Sequence, residues 1–282
     1  MRLDNNLYNP NVTKITEYKL DNYTGEIDFS LDMSYHIPDS LIHVFTMASQ
    51  GSDEASATKI YAVYIGNINR ISTDTVIMYC HGNYDHMDFY WPRAKLLANT
   101  ISKNRFGVLM IDYRGFGLSE GKPTENGLYA DVDAALKWLQ NKGLTNNRLV
   151  MYGFSMGSAP ATRLCAENYS MKPIKLLLEA PFASAEVMVQ DASGLAMPGE
   201  FFTDLKINNA EEIKKVQQPF FWIHGEEDDF LNINTHGALV YNNYNGIYKE
   251  AHRIPNAGHS SVPNTMGFQN YSNAVADFIL KH

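Results

Sequence analysis

The chain has 282 residues, of which 45% are hydrophobic, and its formal net charge is −8. A nucleic-acid-binding surface needs a basic face to neutralise phosphates, so this charge argues against that class of partner. No apolar run approaches the roughly 18 residues that a membrane span requires, and the first residues lack the apolar stretch of a signal peptide. We therefore expect a globular protein without a membrane span, located in the cytoplasm unless an export signal has been removed.

The first 73 residues are predicted to form a β-rich part of the chain. Residues 41–47 and 59–65 are rich in β-branched and aromatic side chains, and a polar loop of Ser, Gly and Asp separates them. This pattern predicts an antiparallel hairpin.

From residue 75 onward, short apolar runs alternate with helical patterns. The runs are unbroken, as expected for strands that are covered on both faces. They span residues 76–80, 108–112, 149–152, 174–178 and 220–224. Apolar residues at helical spacing predict helices over 131–139 and 271–280, and Gly143 supplies a stop for the first helix. The alternation predicts an α/β fold, a mostly parallel sheet with helices on both faces, in a single domain over 1–282.

Both cysteines lie in apolar surroundings. Cys80 falls in the first apolar run of the predicted sheet, and Cys165 falls in a helical pattern. We predict two buried thiols that behave as small hydrophobic side chains, because nothing in their spacing indicates a disulfide framework.

The segment Gly153-Phe154-Ser155-Met156-Gly157 follows the strand predicted at 149–152 and precedes a helical pattern over 158–167. A serine at such a sharp strand-to-helix turn has a strained backbone and an exposed Oγ. The two glycines are needed because side chains there would collide as the turn closes. The alternative is a glycine-lined turn without a catalytic role. The context favours Ser155 as a nucleophile.

A serine hydroxyl is a poor nucleophile without a base. His259, in a loop after a β-like segment over 251–254, lies at the predicted active edge of the sheet and is the candidate base. Four carboxylates compete for the acid after the strand at 220–224. We prefer Asp228, with Asp229 as the reserve, and expect Glu226 and Glu227 to face solvent.

The loop after residue 80 reads His81-Gly82-Asn83-Tyr84-Asp85. An oxyanion hole needs two backbone donors, and the N–H groups of Asn83 and Met156 are the candidates. A metal site built from His81, Asp85, His86 and Asp88 is an alternative for this loop. Nothing elsewhere completes a ligand set of known spacing, so we expect no metal and no cofactor.

Five segments together resemble the successive motifs of the α/β hydrolases. They are residues 81–83, 112–119, 153–157, 224–228 and 257–259. The similarity is greatest to the serine aminopeptidase-like branch, which includes small esterases and protein depalmitoylases, and residues 121–135 are especially similar to the depalmitoylases. The resemblance covers about residues 75–280. It implies an α/β-hydrolase fold and a triad of Ser155, Asp228 and His259.

This chemistry predicts a serine hydrolase that cleaves a carboxylic ester or thioester through an acyl-enzyme on Ser155. The expected partner is a small-molecule or acyl-chain substrate. A peptidase or amidase of the serine aminopeptidase type and a non-catalytic ligand-binding protein are the alternatives. Residues 181–217 are predicted to form a short lid or insertion, whose Met and Phe side chains either cover an acyl pocket or pack on the body.

Overall fold

The computed structural model describes residues 7–10, 12–26, 29–193 and 203–281. In these residues an eight-stranded sheet has the strand order β10-β9-β8-β7-β4-β6-β3-β2, and a separate two-stranded sheet pairs β1 with β5. The strands are β1 (Asn9–Pro10), β2 (Ile42–Ser49), β3 (Thr58–Ile65), β4 (Val76–Cys80), β5 (Tyr84–Asp85), β6 (Gly107–Asp112), β7 (Leu149–Phe154), β8 (Lys175–Glu179), β9 (Phe220–Gly225) and β10 (Lys249–Ile254).

The large sheet confirms the predicted architecture. Strands β2 and β3 form the antiparallel hairpin, with Ile42 opposite Ile65, and β3 joins the body through antiparallel pairing with β6. Every other neighbouring pair in this sheet is parallel. The five predicted strands are β4, β6, β7, β8 and β9, and their observed ends differ from the predicted ends by no more than two residues.

Helices cover both faces of the sheet. They are α1 (Met87–Ala98), α2 (Glu125–Asn141), α3 (Ser158–Ala166), α4 (Ala185–Ser193), α5 (Asn209–Glu212), α6 (Gly237–Asn243), α7 (Val262–Met266) and α8 (Phe268–Lys281). Side chains of α2 and α3 belong to one apolar core, and those of α1 and α8 belong to the other. Along β4, consecutive side chains enter the two cores in alternation, which explains why this strand reads as an unbroken apolar run.

The helix ends and the two cysteines agree with the sequence. Helix α2 contains the predicted helical segment, and Gly143 follows its end with a φ of 89°, in the left-handed region that glycine adopts readily. Cys80 and Cys165 are buried and free. Burial raises the pKa of both thiols.

Residues 12–26 and 29–41 form loops and three short 3-10 helices ahead of the hairpin. The strands of the predicted β-rich part are therefore concentrated after residue 41. We refer to residues 12–26 as the N-terminal strap. Its course is fixed by contacts with α1 and with loops at the carboxyl edge of the sheet.

The predicted lid region follows β8. An isolated bridge pairs Ser184 with Asn208. Helix α4 begins at Ala185, directly after Ser184. The predicted lid residues 194–202 lie outside the described part of the chain.

Candidate active site

Ser155 lies at a tight turn between β7 and α3. Its φ is 52°, a left-handed value that side chains rarely adopt. A Cβ added to Gly153 would lie 2.6 Å from the carbonyl oxygen of Gly157, and one added to Gly157 would lie 2.7 Å from the carbonyl oxygen of His81. Both glycines are therefore required by close backbone approach, as the sequence pattern predicts. The turn projects the Ser155 side chain into a cavity at the carboxyl edge of the sheet.

His259 lies directly beside Ser155. Its Nε2 is 2.9 Å from Ser155 Oγ, and its Nδ1 is 2.8 Å from Asp228 Oδ2. Because the carboxylate can only accept, Nδ1 carries a proton, and Nε2 of the neutral ring is free to accept the serine proton. The imidazole packs between the rings of Phe154 and Phe230, with centroids 5.3 and 5.1 Å away. The structure thus brings together the three predicted side chains.

Asp228 is held by four donors. Its Oδ2 accepts hydrogen bonds from His259 and from His224 Nε2, and its Oδ1 accepts the backbone N–H groups of Phe230 and Leu231. Burial opposes ionisation, but these hydrogen bonds and the neighbouring imidazole outweigh it, and the pKa of Asp228 lies well below its ordinary value. The group is therefore a carboxylate throughout the neutral range.

The competing carboxylates point elsewhere. Asp229, Glu226 and Glu227 are exposed, and Glu226 pairs with Arg253 on the edge strand. Asp229 contributes to a separate surface cavity, which Phe230 also lines. The geometry therefore separates Asp228 from the reserve candidate.

His224, which the sequence presents only as part of a motif, contacts the predicted acid Asp228. It is fully buried at the end of β9, and its Nε2 lies 2.9 Å from Asp228 Oδ2 and 3.0 Å from the carbonyl oxygen of Leu231. Both atoms are acceptors, so Nε2 carries the proton. The signal in the sequence was the position of His224, four residues before Asp228 at the end of a buried strand.

The loop after β4 lies at the same edge. Asn83 lines the cavity that contains Ser155 and His259. Its side-chain amide donates to the carbonyl oxygen of Leu7, and its own carbonyl accepts the N–H of Asn9. Met156 follows Ser155 in the first turn of the elbow and is buried. The two residues whose N–H groups are the predicted oxyanion donors thus lie on different elements, Asn83 on the loop after β4 and Met156 on the elbow.

Two acidic side chains, Asp85 of β5 and Asp88 of α1, hold the N-terminal strap. Asp85 accepts hydrogen bonds from Thr13 N and Tyr23 Oη, and Asp88 accepts from the backbone N–H groups of Lys19 and Leu20. In the described residues, no group of three or more His, Cys, Asp or Glu side chains is arranged to hold a metal ion.

The cavity at Ser155 has a volume of about 390 Å³. Five aromatic side chains form much of its wall: Tyr84, Phe89, Tyr90, Phe154 and Phe230. One buried carboxyl group, Glu26 of the strap, reaches the same cavity. A volume of this size falls in the range of pockets for small molecules.

The model of the serine aminopeptidase family S33 matches residues 71–218, which include the loop after β4 and the elbow. The chain belongs to this family of α/β hydrolases. A relative with 30% identity over 237 residues is protein L404 of Acanthamoeba polyphaga mimivirus, whose name places it among the α/β hydrolases; the match covers 83% of this chain and 84% of that protein.

Other members are similar over different lengths. The human α/β hydrolase domain-containing protein 17C is 29% identical over 171 residues, which cover 60% of this chain and 48% of that protein. A solved esterase, Pf2001 of Pyrococcus furiosus, superimposes with a TM-score of 0.69 over 98% of this chain and 97% of its own, at 17% identity. At that identity the likeness shows the α/β-hydrolase fold alone. In the described residues of this family member, no helix is long and apolar enough to cross a membrane.

Proposed function

We propose that this α/β hydrolase is a serine hydrolase that cleaves a carboxylic ester or thioester through an acyl-enzyme on Ser155. The observation that carries the proposal is the continuous hydrogen-bonded chain from Ser155 Oγ through His259 to Asp228, which opens into a cavity. A nucleophile, a base within hydrogen-bond reach and a third group that orients the base are the parts that acyl transfer requires.

In the acylation step, Ser155 Oγ forms a bond to the carbonyl carbon of the substrate, and His259 Nε2 takes the serine proton. Asp228 keeps the proton on Nδ1 and stabilises the imidazolium that forms. The backbone N–H groups of Asn83 and Met156 are the proposed donors to the oxyanion. When the tetrahedral intermediate collapses, the bond to the leaving alcohol or thiol breaks, and His259 returns its proton to that group.

Deacylation repeats these steps with water. His259 takes a proton from water as its oxygen attacks the acyl carbon, and the imidazolium then returns that proton to Ser155 Oγ as the carboxylic acid leaves. The residues that this cycle uses are Ser155, His259 and Asp228, with the two backbone donors, so the proposal includes no metal and no cofactor. The low pKa of Asp228 supports it, because the acid must stay ionised while the imidazole changes charge.

The walls of the cavity favour a small substrate with an apolar acyl or aromatic group. Aromatic rings surround Ser155, and Phe230, which packs against His259, is 53% exposed at the cavity mouth. An apolar group that covers Phe230 would gain free energy by removing this surface from water. We also propose that the predicted lid region contributes to acyl-group selection, since α4 and Phe230 share the neighbouring cavity. A cytoplasmic location remains part of the proposal.

A substrate panel tests the proposal. The purified protein is assayed with p-nitrophenyl esters from acetyl to dodecanoyl, with the matching acyl thioesters, and with aminoacyl p-nitroanilides, each beside Ser155→Ala. Hydrolysis of esters or thioesters that is lost in Ser155→Ala supports the proposal. Preferential cleavage of the anilides would instead favour an aminopeptidase, as in the family's description. A ligand that raises the Tm without any turnover would favour a binding protein.

A further inference from the structure

The N-terminal strap is fixed to the body by buried carboxylates that are distant from it in sequence. Asp88 Oδ2 and Oδ1 accept the N–H groups of Lys19 and Leu20 at 2.8 and 2.9 Å, and Asp112 accepts Tyr18 Oη at 2.6 Å. Both carboxylates are fully buried. A segment held by several hydrogen bonds to buried charged acceptors has a defined position, because breaking each bond would leave a buried charge without its partner.

The strap ends at the catalytic cavity. The N–H of Glu26 donates to the carbonyl oxygen of Phe89 in α1, and the Glu26 side chain is one of the groups that line the cavity with Ser155 and His259. Only 6% of Glu26 is exposed. An ionisable group is buried this deeply only when a partner satisfies it.

That partner is Arg93 of α1, which is fully buried. Its Nη2 and Nε donate to the two oxygens of Glu26 at 2.9 and 3.2 Å, and its Nη1 donates to Glu179 at 2.6 Å. Glu179 in turn accepts hydrogen bonds from the hydroxyls of Tyr152 and Tyr271. The guanidinium is therefore held in one orientation between carboxylates from the strap and from β8.

Arg93 also contacts both sides of the Ser155–His259 pair. Its Nη2 donates to the carbonyl oxygen of Ser260, the residue after His259, at 3.2 Å. Its guanidinium lies 4.1 Å from the centroid of the Phe154 ring, and Phe154 precedes Ser155 and packs against the imidazole. One guanidinium thus contacts the backbone of the residue after His259 and the ring of the residue before Ser155.

We propose that Glu26 is a positioning residue, which the strap carries to the site and which acts through Arg93 on Ser260 and Phe154 to keep His259 aligned with Ser155. The expected effect of Glu26 on the reaction rate rests on the proposed function. Its expected effect on the loop that carries His259 is independent of that function. Without Glu26, Arg93 keeps one carboxylate partner and loses the contact that fixes its Nε and Nη2. The Arg93 Nη2 donor to the carbonyl oxygen of Ser260 is then no longer held in one orientation.

Two variants test the role of Glu26, and each changes a different contact of the strap. Glu26→Gln alters the partner of Arg93 directly, whereas Asp88→Ala releases the strap at Lys19 and Leu20 without changing a cavity residue. The matched controls are Glu227→Gln, an exposed acid near the site, and Asp32→Ala, which removes an exposed acceptor of a backbone N–H in the same N-terminal region. If Glu26→Gln fails to fold, Asp88→Ala keeps the inference falsifiable.

Two measurements are made well below the Tm. The first is amide hydrogen exchange of residues 256–262, normalised to the central strand β7 so that a general loss of stability cancels. The second is the rate of phosphonylation by a fluorophosphonate, together with kcat and KM for an ester. We expect exchange in 256–262 to be at least about tenfold faster, as for a loop that opens locally, in both variants. We expect kcat and the phosphonylation rate to fall at least about tenfold, with KM changed less than about twofold, because misalignment affects the chemical step.

The controls should match the wild type in both measurements. If residues 256–262 exchange at the wild-type rate in both Glu26→Gln and Asp88→Ala, the inference is overturned. The strap would then serve only to cover the body. If the wild-type protein itself is not phosphonylated, the proposed function fails, while the exchange measurement still decides the role of Glu26.

Discussion

His224 Nε2 lies 2.9 Å from Asp228 Oδ2, and His259 Nδ1 approaches the same oxygen at 2.8 Å. One carboxylate oxygen is therefore shared by two imidazoles, one fully buried and one at the cavity. The buried imidazole keeps the carboxylate ionised and fixes its direction, and the second imidazole is oriented by that carboxylate. His224 thus acts on the proposed base through Asp228.

His224→Phe should lower kcat while the protein remains folded. The substitution removes a donor to a charged acceptor, which is worth about 1.5–3 kcal/mol, so we expect a loss of about tenfold to a hundredfold. Steady-state ester kinetics measure it. His252→Phe is the matched control, because His252 is half-buried on edge strand β10, where it contacts Glu250. A His224→Phe protein with wild-type kcat would contradict the role of His224.

Asp228→Asn should reduce kcat by about three to four orders of magnitude, because the amide favours the wrong imidazole tautomer. Asp229→Asn, at the exposed neighbouring position, should change kcat by less than about twofold, as expected for a surface substitution away from the site. Both are measured with the same ester. A larger effect for Asp229→Asn would assign the acid to the other carboxylate.

Asp228 should also contribute to stability in a pH-dependent way. Its pKa in the folded protein lies below the ordinary value of 3.8, so the stabilisation is complete above that value and is lost as the pH falls below it. The wild type should therefore exceed Asp228→Asn in free energy of unfolding by a constant amount above about pH 5, with the difference shrinking in more acidic solution. Urea unfolding at several pH values measures this. A difference that does not change down to the acid limit would mean that Asp228 is not a low-pKa carboxylate.

The elbow should not tolerate a side chain at Gly157. A Cβ there would lie 2.5 Å from the carbonyl carbon of Cys80 and 2.7 Å from the carbonyl oxygen of His81, so the elbow would have to move away from the end of β4. We expect Gly157→Ala to lose at least about 3 kcal/mol of unfolding free energy, more than ordinary overpacking, because the clash is with backbone atoms. At Gly258 the nearest atoms to an added Cβ are 3.8 Å away, so Gly258→Ala is the control and should fold normally. Equal stability of both variants would contradict the described packing.

The positions of the strands along the chain and the position of the elbow follow from local patterns. Unbroken apolar runs identify strands buried on both faces, and β4 shows the reason, since its side chains enter two cores. Ser155 was recognisable because its strained turn requires glycine on either side. His259 and Asp228 followed from their order in the chain and from the resemblance to the α/β hydrolases.

Other parts have no local pattern that predicts them. Helix α1 has no clear helical pattern, because Pro92 lies inside it and because Asp88 and Arg93, two charged residues, are buried in it. The role of Glu26 depends on Arg93, 67 residues later in the chain, and on an ion pair inside the body. Contacts between residues so far apart follow from the folded topology, and neither helical nor strand periodicity indicates them.

Labelling with a fluorophosphonate tests the central claim most directly. The probe reacts only with a serine whose proton is removed by a neighbouring base. We predict that the native protein is labelled on one tryptic peptide, at Ser155. Ser102→Ala, at an exposed loop position, should be labelled equally, and Ser155→Ala should not be labelled. Absence of labelling in the folded wild-type protein, or undiminished ester hydrolysis by Ser155→Ala, would contradict the assignment of Ser155 as the nucleophile.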